Sequence, residues 1–259
     1  MSDAWLRAIV AFPFGLAIGS FMTVVAARVP AGKSVVRPRS RCPSCGVEIA
    51  SRDNVPILGW ALLRGRCRNC GAPIGIVYPL LELGTALLVS GAFLAFESVW
   101  VALAIAAFLA LMPAIAAIDI AHRIIPNRIM YPALIAFPLY LVAARLADAP
   151  VDLLRMTIGF VVYGGGLLLV ALVSGGMGMG DVKLAGWIGI VLGALGLRYV
   201  GVAAAAAIVL GGLGAIVALV LGSGRKSAIP FGPYLAAGAV VAAFFAEPIA
   251  DWYLATFLG

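Results

Sequence analysis

Charge is scarce in this sequence. Only 11% of its 259 residues are Asp, Glu, Lys or Arg and 64% are hydrophobic, against about 25% charged and about 45–50% apolar in soluble domains. A soluble core cannot absorb that excess. Histidine is scarcer still, since His122 is the only one; without a ligand-spaced companion it reads as an interfacial residue rather than a proton partner or pH sensor. A cleavable signal is also missing: the apolar stretch from Trp5 to Ala27 is too long for an h-region of about 7–15 residues and lacks a strongly basic start. It reads as a first membrane span.

What is present is a succession of apolar runs near the length of about 20 residues that a bilayer requires. Spans are drawn at Trp5–Ala27, Tyr78–Phe96, Val99–Ile118, Ile129–Leu146, Leu153–Ser174, Val182–Leu197, Tyr199–Leu221 and Phe231–Ala246. The expected fold is therefore an all-α polytopic membrane protein of about eight transmembrane helices, with membrane lipid as its main surroundings. Frequent Gly and Ala in the spans suit close helix packing. No internal repeat stands out.

The basic residues are clustered. Between Arg28 and Val77 nine Lys or Arg stand against Glu48 and Asp53, an excess equal to the whole chain's net charge of +7. In a membrane protein this marks a cytoplasmic loop held by the positive-inside rule rather than a nucleic-acid surface. Threading the spans from that anchor brings 119–128, 174–181 and the Gly224–Lys226 turn to the cytoplasmic side, with Arg123, Arg128, Arg225 and Lys226 obeying the same rule. Glu97, Asp148, Asp152, Glu247 and Asp251 fall outside, the last two as like charges at a solvated end. The chain divides into a first helix (1–27), a cytoplasmic loop domain (28–77) and a transmembrane core (78–259).

All four cysteines lie in that loop. Cys42-Pro-Ser-Cys45-Gly and Cys67-Arg-Asn-Cys70-Gly are two Cys-x-x-Cys-Gly knuckles 21 residues apart. Each turn aims two thiolates at one tetrahedral ion and the glycine lets the chain reverse behind them, so the pattern predicts a structural Zn²⁺ with no open coordination position. An isolated redox dithiol or unligated thiols fit the spacing less well. A short, loop-rich unit of this kind needs a metal to be ordered.

Two acids sit at the edges of spans. Asp119 follows the apolar run Phe108–Ile118, and Asp181 closes Gly176-Met-Gly178-Met-Gly180. They are 62 positions apart yet share one membrane boundary, where an ionisable group is a functional candidate. Two carboxylates that share a proton supply an acid and a base together, which is the logic of aspartyl proteolysis. Gly178 and Gly180 let the backbone approach an extended substrate. The plainer reading is that Asp181 caps a helix starting at Val182. Lys183 is a candidate supporting residue, and Glu82, an acid at the start of a span, requires a partner or a ligand. A proton- or ion-coupled transporter using the same two acids is the competing function; a noncatalytic assembly subunit is a third.

Taken in order, the motifs resemble the bacterial type IV prepilin peptidases, the GxGD-type intramembrane aspartyl proteases. The resemblance rests on Gly15–Phe21 with Arg28-Val-Pro30, the two cysteine knuckles with Asp53-Asn-Val-Pro56, and Tyr78-Pro-Leu-Leu-Glu82. Ile118-Asp119 with Ile125-Pro126-Asn127, Gly178-Met-Gly180-Asp181-Val-Lys183 and Ile229-Pro-Phe-Gly-Pro-Tyr234 complete it. It implies that Asp119 and Asp181 are catalytic, that type IV prepilins or pseudopilins are the substrates, and that the leader is cut at the cytoplasmic boundary of the inner membrane. Members with the cysteine module often also methylate the new N-terminus with S-adenosylmethionine. No glycine-rich methyltransferase fold is visible here, and Glu82 is the one residue singled out for a methyl-donor pocket. Two positions depart from the family pattern: Thr23, where asparagine is common, and Ala121, where an acid often follows the first catalytic aspartate.

Overall fold

The computed structural model describes residues 3–221 and 230–257; the expected Gly224–Lys226 turn and Ile229 lie outside them. Within these residues the chain is helical, with no named strand. The elements are α1 (Asp3–Arg28), the short α2 (Leu58–Leu62), α3 (Val77–Ala95), α4 (Val99–His122), α5 (Asn127–Leu146), α6 (Leu153–Gly159), α7 (Gly165–Ser174), α8 (Met179–Gly193), α9 (Leu197–Val220) and α10 (Gly232–Phe257). A π-helical turn, Phe160–Gly164, joins α6 to α7 into one run.

Seven helices among the described residues are long and apolar enough to cross a membrane: α1, α3, α4, α5, the run Leu153–Ser174, α9 and α10. The eighth expected span is α8, and it differs in kind. Its 15 residues rise only about 22 Å at 1.5 Å per residue, yet it traverses the bundle: Gly180 packs on Ile125 at one end and Ala194 O accepts the Asp152 N–H at 2.9 Å at the other. From Val182 to Gly193 every residue except Lys183 is buried. A helix that is apolar all round belongs inside a bundle, and α8 packs against α5, α6, the π turn, α7, α9 and α10. Trp187 anchors it, edge-on to both Phe108 of α4 and Phe137 of α5.

Small residues set the close helix contacts. A Cβ on Gly15 or Gly19 of α1 would come within 2.7 Å of the Cα of Ala86 or Glu82 in α3, so the Gly-x-x-x-Gly spacing lets two backbones touch. Gly159 and Gly164 meet Gly189 and Gly186 of α8 in the same way. The expectation from the Gly and Ala content is met at these two seams.

The last helix runs well past the expected Ala246. Pro248 lies inside it without ending it, and the acids beyond find partners on α9. Arg198 Nη1 pairs with Asp251 Oδ1 at 2.9 Å and the Tyr199 hydroxyl donates to Glu247 Oε1 at 3.4 Å. Both acids are exposed, as expected of a solvated end, and each has its own partner. The Arg198–Asp251 pair is exposed and contributes at most about 1 kcal/mol.

Residues 29–76 carry only α2, a 3₁₀ turn (Ser51–Asn54) and two isolated antiparallel bridges, Arg41 with Glu48 and Arg66 with Pro73. They are tied to the bundle by hydrogen bonds. Arg28 Nη1 donates to the carbonyls of Ser34 and Pro38, Arg128 Nη1 reaches Gly32 O at 2.8 Å, and Ile57 N–H donates to Glu82 Oε2 at 2.7 Å. The insertion thus lies at the bundle end formed by the C-terminus of α1 and the N-termini of α3 and α5.

Candidate active site and cysteine module

Asp119 lies in the last turn of α4, where Arg123 adopts a left-handed conformation and returns its N–H to Asp119 O at 2.8 Å. That αL cap ends the helix just beyond a side chain facing inward. Asp119 is only 5% exposed. Its Oδ2 accepts the main-chain N–H of Gly232 at 2.9 Å, one of the unpaired donors of the first turn of α10. A Cβ on Gly232 would stand 2.7 Å from the same oxygen, so the contact requires glycine there.

Asp181 is the third residue of α8, which starts at Met179 and not at Val182. Gly178 is the N-cap, in extended conformation, and its carbonyl accepts the Asp181 N–H at 3.1 Å. The capping reading does not hold: Asp181 lies inside the first turn of α8, and the cap position is Gly178. Asp181 is also close enough to Asp119 for the two charges to act on each other. Both carboxylates thus stand at helix N-termini, at the end of the bundle where α4 finishes and α8 and α10 begin.

The glycine run before Asp181 is not uniformly extended. Gly175 is left-handed and closes α7, Gly178 is extended, and Gly180 is already helical. A Cβ on Gly180 would lie 3.0 Å from the Ile125 Cβ. Its lack of a side chain seats α8 against the α4–α5 connection, a packing role that an open-loop reading did not anticipate.

Lys183 finds its partners on α5. Its Nζ donates to Asn127 Oδ1 at 2.8 Å and to the Tyr131 hydroxyl at 3.1 Å, and lies 4.7 Å from the Tyr131 ring centre. It pins α8 to the first turn of α5. His122 is exposed at the end of α4. Gly232, Asn127 and Tyr131 were not singled out from the sequence. Gly232 and Asn127 lie inside Ile229–Tyr234 and Ile125–Asn127, so a motif signal existed, but nothing local said which carboxylate or cation each would meet.

The cysteine knuckles are near copies. Cys42 N–H donates to Val47 O and Gly46 N–H to Cys42 O, while Cys67 N–H donates to Ala72 O and Gly71 N–H to Cys67 O, all at 2.8–2.9 Å. Gly46 and Gly71 take φ of 72° and 69°, a left-handed reversal suited to glycine. The four sulfurs lie within 4.8 Å of one another, and Cys42 and Cys70 are 3.8 Å apart. Tetrahedral Zn–S bonds of about 2.3 Å give sulfur–sulfur edges of about 3.8 Å, so the cluster fits such an ion. The N–H groups of Cys45 and Ser44 lower the Cys42 thiol to about 6. Cys70 is pulled down by the Ala72 N–H, yet desolvation and the neighbouring sulfurs of Cys45, Cys67 and Cys42 push it up to about 12. Such a set ionises fully only around a cation. Beside it, the Arg68 guanidinium grips both oxygens of Asp53 at 2.6 and 2.8 Å and holds that carboxyl below its usual range.

Two family models match the chain. The Bacterial Peptidase A24 N-terminal domain covers residues 14–96 and the Type IV leader peptidase family covers 106–222. A prepilin leader peptidase/N-methyltransferase of Bacillus subtilis is 34% identical over 96% of this chain and 98% of its own length.

The chain belongs to the prepilin leader peptidase family.

An Aeromonas hydrophila relative of the same description is 32% identical over 98% of this chain and 96% of its own. A Myxococcus xanthus relative reaches 41% over 61% of the chain and 47% of its own length. No solved structure matches. Membership and the apolar helices make this an inner-membrane protein. The family contains peptidases, so the transporter alternative finds no support, and the acids at helix termini rather than mid-span agree with that.

Proposed function

We propose that this protein removes the leader from type IV prepilins or pseudopilins, with Asp119 and Asp181 as the aspartyl pair, and that it then methylates the new N-terminus using S-adenosylmethionine. The observation that carries the reading is the buried Asp119 carboxylate, fixed by the Gly232 N–H within electrostatic reach of Asp181. The basic insertion is the cytoplasmic side by the positive-inside rule, so cleavage occurs at that boundary. A precursor's apolar helix lies among the spans while its polar leader remains in the cytoplasm.

In this mechanism the two carboxylates share one proton. The ionised acid takes a proton from a water that attacks the scissile carbonyl, and the other acid protonates the departing amine. The Gly232 N–H fixes the position of the Asp119 carboxylate within this pair. Gly178 keeps the approach to Asp181 free of a side chain, and Gly180 supports the site by seating α8 against Ile125. Lys183 holds the start of α8 on α5. The cysteine set holds a structural Zn²⁺ that orders residues 28–77 as a cytoplasmic domain between the first helix (1–27) and the protease core (78–259).

Co-expression with a prepilin tests both activities in one spectrum. The mature N-terminus is expected to have lost its leader and gained a methyl group. An intact precursor would refute the proteolytic reading, and a trimmed, unmethylated product would refute the second activity.

A further inference from the structure

The interior helix α8 is uncovered at one place beyond its first turn. Helices α4, α5, α9 and α10 and the run Leu153–Ser174 pack around it, and from Val182 to Gly193 only Lys183 is not buried. On one side α8 meets the run: Gly186 faces Gly164, and Gly189 and Gly193 face Gly159. On another, Trp187 meets Phe137 of α5. At about 100° per residue Lys183 projects between those two sides, into the seam between α5 and α7. Helix α5 packs against α4, α6 and α8 but has no substantial contact with α7, so the two part towards the end that holds the aspartates. The ring of Phe160, at the π turn, reaches over Gly186 and closes the seam further along.

The walls suit an apolar helix with one polar spot. Tyr131, Leu134, Ile135 and Pro138 follow along α5 at i, i+3, i+4 and i+7, so they share a face. Tyr131 is 52% and Ile135 63% exposed, and Phe160 on the opposite wall is 44% exposed. Lys183 Nζ carries three N–H donors, of which two go to Asn127 Oδ1 and the Tyr131 hydroxyl. The third has no partner among the described residues. An ammonium with a spare donor at membrane depth calls for an acceptor. Asp181 stands two residues earlier on α8, so the seam ends beside the reacting pair. A substrate helix has to unwind where it is cut, and each carbonyl freed by unwinding near lipid needs a donor.

We infer that the apolar helix of a prepilin docks from the lipid into the seam between α5 and α7, and that the Lys183 ammonium donates to main-chain carbonyls of the unwound segment next to Asp181. The inference rests on the proteolytic reading proposed above and adds the face through which the substrate enters. The helix stays among apolar side chains while its end reaches the two acids.

Site-specific photocrosslinking tests this in membranes holding the full chain with Asp119→Asn, which keeps a co-expressed precursor uncut. A benzophenone side chain in place of Ile135 is expected to join the apolar helix of the precursor, as mapped by peptide mass spectrometry. The same group in place of Phe14 on α1 or Leu213 on α9, 65% and 54% exposed, is expected to give no such adduct. With both aspartates intact, Ile135→Trp narrows the seam and is expected to lower cleavage at least about tenfold, whereas Leu213→Trp cuts at the parental rate. Lys183→Met is expected to raise KM for the prepilin at least about tenfold, and Lys183→Arg to keep it near the parental value. A parent that cuts prepilin while Ile135 yields no more adduct than Phe14 and Leu213 overturns the docking face and leaves proteolysis standing, as does parental cleavage by Ile135→Trp. A Lys183→Met variant that loses kcat at unchanged KM overturns the carbonyl contact and leaves Lys183 as a tie between α8 and α5. A parent that leaves the precursor intact overturns the proteolytic reading, and this inference with it.

Discussion

The main-chain N–H of Gly232 meets Asp119 Oδ2 at 2.9 Å across 113 positions of sequence, so the start of α10 orients a carboxylate carried by the end of α4. A donor at a helix N-terminus stabilises the anionic form and fixes where its lone pairs point.

Gly232→Ala is therefore expected to lower prepilin cleavage at least about tenfold, because the added carbon would stand 2.7 Å from the acceptor oxygen and small displacements of a reacting group cost up to about 10²-fold. Membrane insertion and metal content are expected to stay as in the parent. Cleavage at the parental rate by an inserted variant would show that this contact does not orient Asp119.

Gly180→Val is expected to slow cleavage strongly, through collision with Ile125 in addition to any obstruction of substrate. The double variant Gly180→Val/Ile125→Ala separates the two causes. Recovery in the double variant assigns the effect to the seating of α8; a double variant as slow as the single assigns it to substrate access.

Replacing Cys70 by Ser is expected to lower metal content, measured by elemental analysis against a parent holding one zinc per chain, and to raise proteolytic nicking within residues 28–77. Protons compete with the metal for the four thiolates, so loading is expected to fall as the pH falls. Parent protein without zinc, with four freely alkylated thiols in native buffer, would contradict the structural role.

Much of this was legible in the sequence because the strongest signals are local. Apolar runs bounded by charge gave the helices, and Cys-x-x-Cys-Gly spacing gave the paired reversals later seen at Gly46 and Gly71. What escaped was set by packing. The hydropathy of α8 is that of a span, and only its burial on all sides reveals that it traverses the bundle inside it and not against lipid. Its start was placed three residues late because glycines at 178 and 180 read as loop, although Gly180 is helical to admit Ile125. Lys183 stands two residues from Asp181, yet its ammonium belongs to Asn127 and Tyr131 on another helix. The end of α10 was misjudged because Glu247, Pro248 and Asp251 resemble a polar terminus, while their partners on α9 lie about 50 positions away.

The central claim is that Asp119 and Asp181 together perform the hydrolysis, and mass measurement of a co-expressed prepilin with Asp119→Asn and Asp181→Asn addresses it directly. Each amide preserves shape but cannot share a proton as the acid does, so each variant, at parental level in the membrane, is expected to leave the leader attached. Removal of the leader at the parental rate by either well-inserted variant would contradict the account.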